Sequence, residues 1–457
     1  MGRYARLAIS DSSQLLYGRA PAPVRCGFDL AIGAGLVFPE VNFTLPAILI
    51  AADTWQQVVA NYDEMATGII RRAVALQAPG LVLEFELLPA LTDTPEWGAE
   101  ITKLLKQHLR RAWETHGLKS ALRVTPTDLR DQERPPLLRE GLSWEKVRRS
   151  FELCIQAGAD MVSIESVGGK EVHDRALMYG EVRGIIFALG VLASRDMAWL
   201  WDEISGLCRG TAVVPAGDSA CGFANTAMQL AHQKMLPEVL AAVVRAMGAV
   251  RSLVAFEHGA IGPSKDCAYE GPVIKAITGC PISMEGKSAT CAHFSPLGNV
   301  AAAVADLWSN ESVQNVRLLS GSATEAFTES LIYDCRLMNA AAARGGALTL
   351  RDWLTESDEW LSPQAAVLSP AASCRIGEAI VRETTDYRRT LAAAGVAVAI
   401  LKEGVEAARL SIGKKEQQWL VRLEREICAM PEDEAELLPE MKESYGELFR
   451  PASYGLD

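Results

Sequence analysis

The chain has 457 residues, of which 49% are hydrophobic and 22% charged, and this balance excludes wholesale disorder. The formal net charge of −12 disfavours binding to nucleic acids or anionic membranes, whose phosphates it would repel. The N-terminus lacks the apolar core of a signal peptide, and the longest apolar stretches, 184–193 and 392–401, are shorter than the ~18 residues of a membrane span. We therefore expect a soluble cytoplasmic protein whose ten scattered cysteines are reduced thiols.

From about residue 56, short apolar runs alternate with longer stretches of helical spacing. The pattern predicts a helix over 56–77. Strands are then predicted, in chain order, over 81–87, 121–125, 161–166, 184–189, 211–216, 252–257, 281–285 and 316–320. Helices are predicted between them, over 98–116, 144–157, 170–179, 197–208, 225–247, 272–278 and 299–315. A further helix over 324–343 follows the last strand, and the C-terminal part is predicted to be helical over 378–403 and 414–430.

Eight predicted strands alternating with helices favour an α/β fold, a closed (β/α)8 TIM barrel. A doubly wound open sheet is the alternative, but no strand is followed by GxGxxG and the chain has no GxxxxGK[ST] motif. We predict three parts. Residues 1–55 form an N-terminal extension packing on the barrel, 56–345 form the catalytic barrel, and 346–457 form a C-terminal helical region.

Reactive side chains of such barrels project from the C-terminal ends of the strands and the loops that follow. Glu165 closes the third predicted strand, Cys221 follows the fifth and Cys267 follows the sixth. Two thiolates and one carboxylate are good zinc ligands, and tetrahedral zinc with three protein ligands keeps one position open for substrate. Cys291, beside His293 after the seventh strand, is the strongest rival ligand. For each of these cysteines the alternative is a small buried core residue.

Long motifs spread over most of the chain carry a resemblance to a known family. They are VSIESVGGKEV (162–172), AGDSACGFANTAM (216–228), RSLVAFE (251–257), GPSKDCAYE (262–270), IK (274–275), MEGK (284–287) and CAH (291–293). Further matches are DLAIGAG (29–35), PEVN (39–42) and WSNES (308–312). Together they resemble the methanol:corrinoid methyltransferase family, specifically its zinc subunit, often called MtaB. The resemblance implies a zinc-containing (β/α)8 barrel whose ligands, carried onto this chain, are Glu165, Cys221 and Cys267.

The resemblance further implies an enzyme that moves the methyl group of methanol to Co(I) of a corrinoid. None of the six histidines stands in the Asp-x-His-x-x-Gly pattern of base-off corrinoid domains, so we expect the corrinoid on a partner protein. Asp218 and Asp266 flank the ligand motifs and are candidates for a catalytic proton relay, the alternative being hydrogen bonds that support the metal ligands. Lys170, Glu285 and His293 follow barrel strands and are candidates for lining the substrate pocket.

Three alternative functions stay open at this point. Ala220 and Phe223 stand beside the second ligand in the chain and motivate a corrinoid methyltransferase for another donor, such as a methoxylated compound or another small alcohol. A zinc hydrolase or lyase on the same barrel is the second alternative. A non-catalytic protein that only holds a corrinoid protein is the third. The C-terminal helical region is a candidate contact in a homo-oligomer or in a hetero-oligomer with a corrinoid subunit.

Overall fold

A computed structural model describes residues 2–44, 48–265, 267, 269–287, 295–313, 317–319 and 321–456. The strands are β1 (Arg19–Cys26), β2 (Leu30–Ala34), β3 (Phe38–Thr44), β4 (Leu81–Glu86), β5 (Ser120–Thr125), β6 (Met161–Ile164), β7 (Val214–Asp218), β8 (Ser283–Glu285), β9 (Leu307–Val313), β10 (Arg317–Leu318) and β11 (Gly321–Ser322). Short 3-10 turns cover Ser12–Gln14 and Pro451–Tyr454, and a π-helical segment covers Ala188–Ala193.

The helices lie mainly between the barrel strands and in the C-terminal part. They are α1 (Trp55–Ala75), α2 (Pro89–Asp93), α3 (Pro95–His116), α4 (Gly141–Ala157), α5 (Lys170–Tyr179), α6 (Val182–Phe187), α7 (Ser194–Cys208), α8 (Cys221–His232), α9 (Glu238–Glu257), α10 (Gly271–Thr278), α11 (Gly298–Ala302), α12 (Ala323–Ala343), α13 (Ala347–Asp358), α14 (Pro363–Leu368), α15 (Pro370–Arg382), α16 (Asp386–Glu406), α17 (Lys414–Cys428) and α18 (Glu434–Tyr445).

A curled parallel sheet forms the centre of the fold. In the part of the chain that the structure describes, its hydrogen-bonded strand order is β7-β6-β5-β4-β3-β9-β8. Residues 261–264 lie between the two ends of this row. There the Ile261 N–H donates to the Pro215 oxygen at 2.9 Å, and Ser264 forms a parallel bridge with Ile282. With this segment the sheet closes on itself, so the predicted (β/α)8 barrel class is confirmed.

Two predicted strands are wrong because they are buried helices. Residues 184–189 lie in α6 and the π-helical segment, and residues 252–257 are the last turns of α9. Every residue of α9 after Glu238 is buried. Its sequence therefore lacks the polar face, recurring every 3.6 residues, that marks a surface helix. A short apolar piece of such a helix has the composition of a buried strand.

The true barrel strands at three positions lie elsewhere. β3 stands first in the barrel and pairs with both β4 and β9, although it lies within the predicted N-terminal extension. Residues 261–264 stand sixth. β9 stands last, inside the predicted helix 299–315, which is helical only at its start, in α11, and wrong over β9. Of the predicted strand 316–320, β10 forms only a short antiparallel pair with β11, and residues 316 and 320 lie outside the described residues.

This strand order puts the loops of interest side by side. Glu165 follows the fourth strand position rather than the third, because β3 adds a strand before it. Cys221 follows the fifth position, β7, and Cys267 follows the sixth, which is formed by residues 261–264 and not by the predicted strand 252–257. Three consecutive strands therefore deliver the three side chains to one sector of the barrel mouth.

Two helical stretches are long and apolar enough to cross a membrane by composition. They are Val182–Cys208 and Glu238–Glu257, and 83% and 100% of their apolar windows are buried inside the fold. Their apolar surface is thus covered by protein, as in core helices. α9 packs against α16 of the C-terminal region, which continues the hydrophobic core beyond the barrel.

Candidate metal centre

The loop that carries Glu165 is held from two sides. Arg251 Nη2 donates to the Ser166 backbone oxygen at 3.0 Å and to its hydroxyl at 2.6 Å. On the other side the Gly169 N–H donates to the Tyr454 hydroxyl at 2.9 Å. Gly169 has a φ of +83°, and a Cβ there would meet a backbone oxygen at 2.9 Å, so this position requires glycine. The backbone around Glu165 is fixed while its side chain stays 26% exposed at the barrel mouth.

Cys221 begins α8 directly after the turn that follows β7. The Ala220 N–H donates to Glu270 Oε1 at 2.8 Å, which fixes the turn between strand and helix. One helical turn further on, Asn225 Nδ2 donates to Cys221 Sγ at 3.3 Å. A donor directed at sulfur favours the thiolate form over the thiol. The local structure therefore presents the Cys221 sulfur toward the barrel mouth and supports it as a ligand.

Cys267 completes the cluster from the loop after residues 261–264. It is 1% exposed, and its Sγ donates to Glu165 Oε1 at 2.9 Å. The ligand atoms of Glu165, Cys221 and Cys267 all lie within 4.8 Å of one another. Around tetrahedral zinc, with zinc–sulfur bonds of about 2.3 Å and zinc–oxygen bonds of about 2.1 Å, ligand atoms stand about 3.5–3.8 Å apart. The cluster therefore fits one zinc ion after small side-chain adjustments.

The pKa values of Cys221 and Cys267 show that the two thiolates need a nearby cation to be stable. The hydrogen bond with Cys267 lowers the pKa of the Cys221 thiol. Burial and the charges of Glu165 and Glu285 outweigh it, and this pKa is raised to about 12. Burial, followed by the interaction with Cys221 and the Glu165 charge, raises the pKa of Cys267 well above its usual value. Both groups are therefore thiols at neutral pH unless a metal ion stabilises the thiolates.

Buried charged groups surround the cluster. Lys265 Nζ lies 2.8 Å from Glu84 Oε1 and 3.5 Å from Glu165 Oε1. The Tyr269 hydroxyl donates to Glu285 Oε2 at 2.6 Å, and both residues are at most 1% exposed. The barrel mouth is thus lined by paired charges and hydrogen-bonded polar groups, which suits a small polar substrate better than an apolar one.

The other predicted site residues fall in different places. Asp218 is fully buried in an ion pair with Arg251, whose Nη2 lies 3.0 Å from Asp218 Oδ1. Lys170 begins α5, forms an ion pair with Asp174, and lies beside Gly222, where an added Cβ would meet Lys170 Cε at 3.1 Å. Glu285 is the last residue of β8, and its carboxylate accepts the hydrogen bond from the Tyr269 hydroxyl. The remaining candidates, Asp266, Cys291 and His293, lie outside the described residues.

The two residues that motivated a different methyl donor are buried among other side chains. Phe223 is fully buried, with its ring centroid 5.0 Å from that of His173 and the Arg251 guanidinium 4.9 Å above its face. Ala220 is 1% exposed and packs with Ala224. These contacts give both side chains a packing role, and their effect on the substrate pocket stays a prediction.

Three residues of the site were not singled out from the sequence. Lys265 stands inside the GPSKDC motif. Its position two residues before the candidate ligand Cys267 is a sequence signal that it belongs to the site. Arg251 is a charged residue inside a run of apolar helix, a pattern that indicates a buried ion pair. Tyr454 carries no local signal, because its partner Gly169 is 285 residues away.

A (β/α)8 barrel that gathers a carboxylate and two thiols at the C-terminal ends of consecutive strands has the layout of a barrel enzyme with a metal site at its mouth. Comparisons with known proteins narrow this class. The family model for the methanol-cobalamin methyltransferase B subunit matches residues 1–455. The chain therefore belongs to the methanol-cobalamin methyltransferase B subunit family and is a methyltransferase, as its motifs predicted.

Individual relatives match the chain over its whole length. A methanol–corrinoid protein co-methyltransferase of Methanosarcina barkeri (strain Fusaro / DSM 804) is 36% identical over 460 residues, covering 99% of this chain and 99% of the relative. The crystal structure of the methanol:cobalamin methyltransferase complex MtaBC from Methanosarcina barkeri contains a chain of the same fold. That chain matches with a TM-score of 0.95 and 35% identity, and 100% of each chain is covered.

Proposed function

We propose that the chain uses a zinc ion held by Glu165, Cys221 and Cys267 to move the methyl group of methanol to Co(I) of a corrinoid carried by a partner protein. The observation that carries this proposal is the convergence of the three ligand atoms within 4.8 Å at the barrel mouth. Thiolates favour zinc over hard cations such as Mg²⁺. Three protein ligands also leave one position for the alcohol oxygen.

The reaction balances as a displacement at carbon. The C–O bond of methanol breaks and a carbon–cobalt bond forms, so Co(I) becomes Co(III) and hydroxide leaves, taking up one proton to become water. Zinc, when bound, supplies a Lewis acid that stabilises the negative charge developing on the departing oxygen. The protein's part is to hold the ligand set rigidly at the mouth of the barrel, which the anchored loops after β6 and β7 do.

For the proton, we propose different roles for the two aspartates predicted from the sequence. Asp218 Oδ1 accepts bonds from Arg251 and from the Ser219 N–H at 2.7 Å, and Oδ2 accepts from Trp201 Nε1 at 3.4 Å. A carboxylate with both oxygens engaged inside the core is suited to hold the Cys221 loop, so Asp218 is a positioning residue. Asp266 stays the candidate for the proton relay.

For the substrate, we propose methanol rather than another donor. The buried pair of Tyr269 and Glu285 places a hydroxyl and a carboxylate near the cluster, and such groups favour a small alcohol. The packing contacts of Ala220 and Phe223 support methanol, because they give both residues a role other than donor selection. Lys170 and His293 stay candidates for lining the pocket.

The relatives support a separate corrinoid partner, since one is a methanol–corrinoid protein co-methyltransferase and the other belongs to the methanol:cobalamin methyltransferase complex MtaBC. We place the reaction in the cytoplasm, because thiol ligands must stay reduced to bind the metal. The apolar α9 and the Val182–Cys208 stretch are buried in the protein, which agrees with a soluble enzyme.

The proposal is tested by measuring bound zinc and methyl transfer from methanol to Co(I) cobalamin in the same preparations. Glu165→Ala, Cys221→Ala and Cys267→Ala are each expected to lose both. The matched control is Cys154→Ala, a fully buried cysteine of α4 that contacts Thr102 and is expected to keep both. Full zinc retention in all three ligand variants would overturn the ligand assignment. Turnover of an alcohol without any corrinoid would favour a hydrolase or lyase instead.

A further inference from the structure

Lys265 places a buried ammonium group between two carboxylates. Its side chain has no exposed surface, and its Nζ lies 2.8 Å from Glu84 Oε1 and 3.5 Å from Glu165 Oε1. A buried ammonium is tolerated only where opposite charge and hydrogen bonds replace its hydration. Lys265 therefore links a residue of the barrel wall to a candidate metal ligand.

Glu84 is the fixed end of this link. It lies within β4 and is fully buried, and Thr125 Oγ1 donates to the same Oε1 at 3.0 Å. Glu165, by contrast, stands in a loop and is 26% exposed, so its carboxylate has more freedom of direction. The position of Glu84 is set by the sheet. Lys265, held by Glu84, therefore restricts the movement of the Glu165 carboxylate.

The ammonium and one of the thiols converge on a single oxygen. Glu165 Oε1, the atom nearest Lys265 Nζ, also accepts the bond from Cys267 Sγ at 2.9 Å. The oxygen that faces the ammonium is therefore also the one that faces a candidate sulfur ligand. A carboxylate and two thiolates carry one negative charge more than a divalent ion neutralises, and a nearby ammonium offsets part of that excess.

We propose that Lys265 is a positioning residue for the metal centre, orienting the Glu165 carboxylate and thereby raising the affinity for zinc. The inference rests on the proposed function, because it assumes that Glu165 is a zinc ligand. Removing a group that orients a metal ligand typically weakens metal binding about 10–100-fold. Lys265→Met is expected to show a loss of this size with one zinc still bound at saturation, and Lys265→Arg, which keeps the charge, is expected to recover most of the affinity.

The chain offers a matched control in Lys275. This lysine is also fully buried, and its Nζ donates to Asp306 Oδ1 at 2.9 Å and to the backbone oxygens of Leu16 and Val304 at 2.8 Å. It lies at the opposite end of the barrel, because Asp306 precedes β9. Lys275→Met is expected to lower thermal stability, as any unpaired buried charge does, while binding zinc like the wild type.

The measurement is the zinc dissociation constant, obtained by competition with a chromophoric chelator, together with the thermal midpoint of each variant. A wild type that binds no zinc would refute the proposed function itself. A wild type that binds zinc, with Lys265→Met within twofold of it, would refute only the role of Lys265. If Lys265→Met does not fold, Lys265→Gln takes its place under the same criterion, since its amide keeps a polar head at the buried position.

Discussion

Arg251 and Asp218 join two of the loops that carry the candidate metal ligands. The guanidinium Nη2 lies 3.0 Å from Asp218 Oδ1, with neither side chain exposed, and it also reaches the oxygens of Ser166. Ser166 directly follows Glu165, and Asp218 ends the strand before Cys221. The pair thus joins the backbone beside Glu165 to the backbone before Cys221, two candidate ligands whose chain positions are far apart.

Asp218→Asn is expected to destabilise the fold by about 3–5 kcal/mol, because it leaves Arg251 buried without its counter-charge. Denaturant unfolding measures this loss. The control is Asp29→Asn, which breaks an exposed pair with Lys119 and is expected to change stability little. If Asp218 were instead the proton relay, methyl transfer would collapse in a variant that still folds and binds zinc, and the positioning role would be wrong.

Zinc binding is expected to strengthen as the pH rises. The pKa of Cys221 is raised to about 12 and that of Cys267 is raised well above its usual value, so both are protonated at neutral pH without metal. Since zinc binds thiolates, its uptake displaces up to two protons, and the apparent affinity rises by up to about 100-fold per pH unit. Competition titrations at pH 6, 7 and 8 measure the slope, and calorimetry in buffers of different ionisation enthalpy counts the protons. An affinity independent of pH would contradict thiol ligation.

Tyr454→Phe is expected to loosen the Glu165 loop. The variant removes the acceptor of the Gly169 N–H, and an unsatisfied buried N–H costs about 1–3 kcal/mol. Unfolding experiments and hydrogen exchange at Gly169 measure the effect, which should appear as faster exchange of the loop amides. Tyr333→Phe, at a 52% exposed tyrosine of α12, is the control and should leave exchange at Gly169 unchanged. Equal exchange in both variants would show that the C-terminal turn does not brace the loop.

Phe223→Leu is expected to leave the choice of methyl donor unchanged. The side chain packs between His173 and Arg251 in the core, so its replacement by a slightly smaller apolar residue costs about 1 kcal/mol of stability. Rates of transfer to Co(I) cobalamin, of a methyl group from methanol and of an ethyl group from ethanol, measured on the same preparation, give the preference. A clear shift toward ethanol would mean that Phe223 shapes the pocket after all and would revive the alternative donor.

Much of the barrel could be predicted from local patterns, and the errors fall where the local pattern is missing. β4, β5 and β6 were predicted to within two residues, because each is a short apolar run bounded by turn residues. The same rule wrongly predicts a strand at the end of α9, because a helix buried on nearly all sides lacks an amphipathic period. β9 lies where the sequence pattern predicts helix, because its residues, such as Asn310 and Glu311, do not alternate clearly, and only pairing with β3 makes them a strand.

The sequence alone determined the donor types and their placement directly after barrel strands, together with motifs specific enough to indicate the family. These are local properties, readable from a few adjacent residues. The tertiary structure decided that Glu165, Cys221 and Cys267 meet, that Lys265 lies beside Glu165, and that Tyr454 contacts the loop after it. Such contacts join residues up to 285 positions apart, and they exist only because strand pairing and burial of the core bring those segments together.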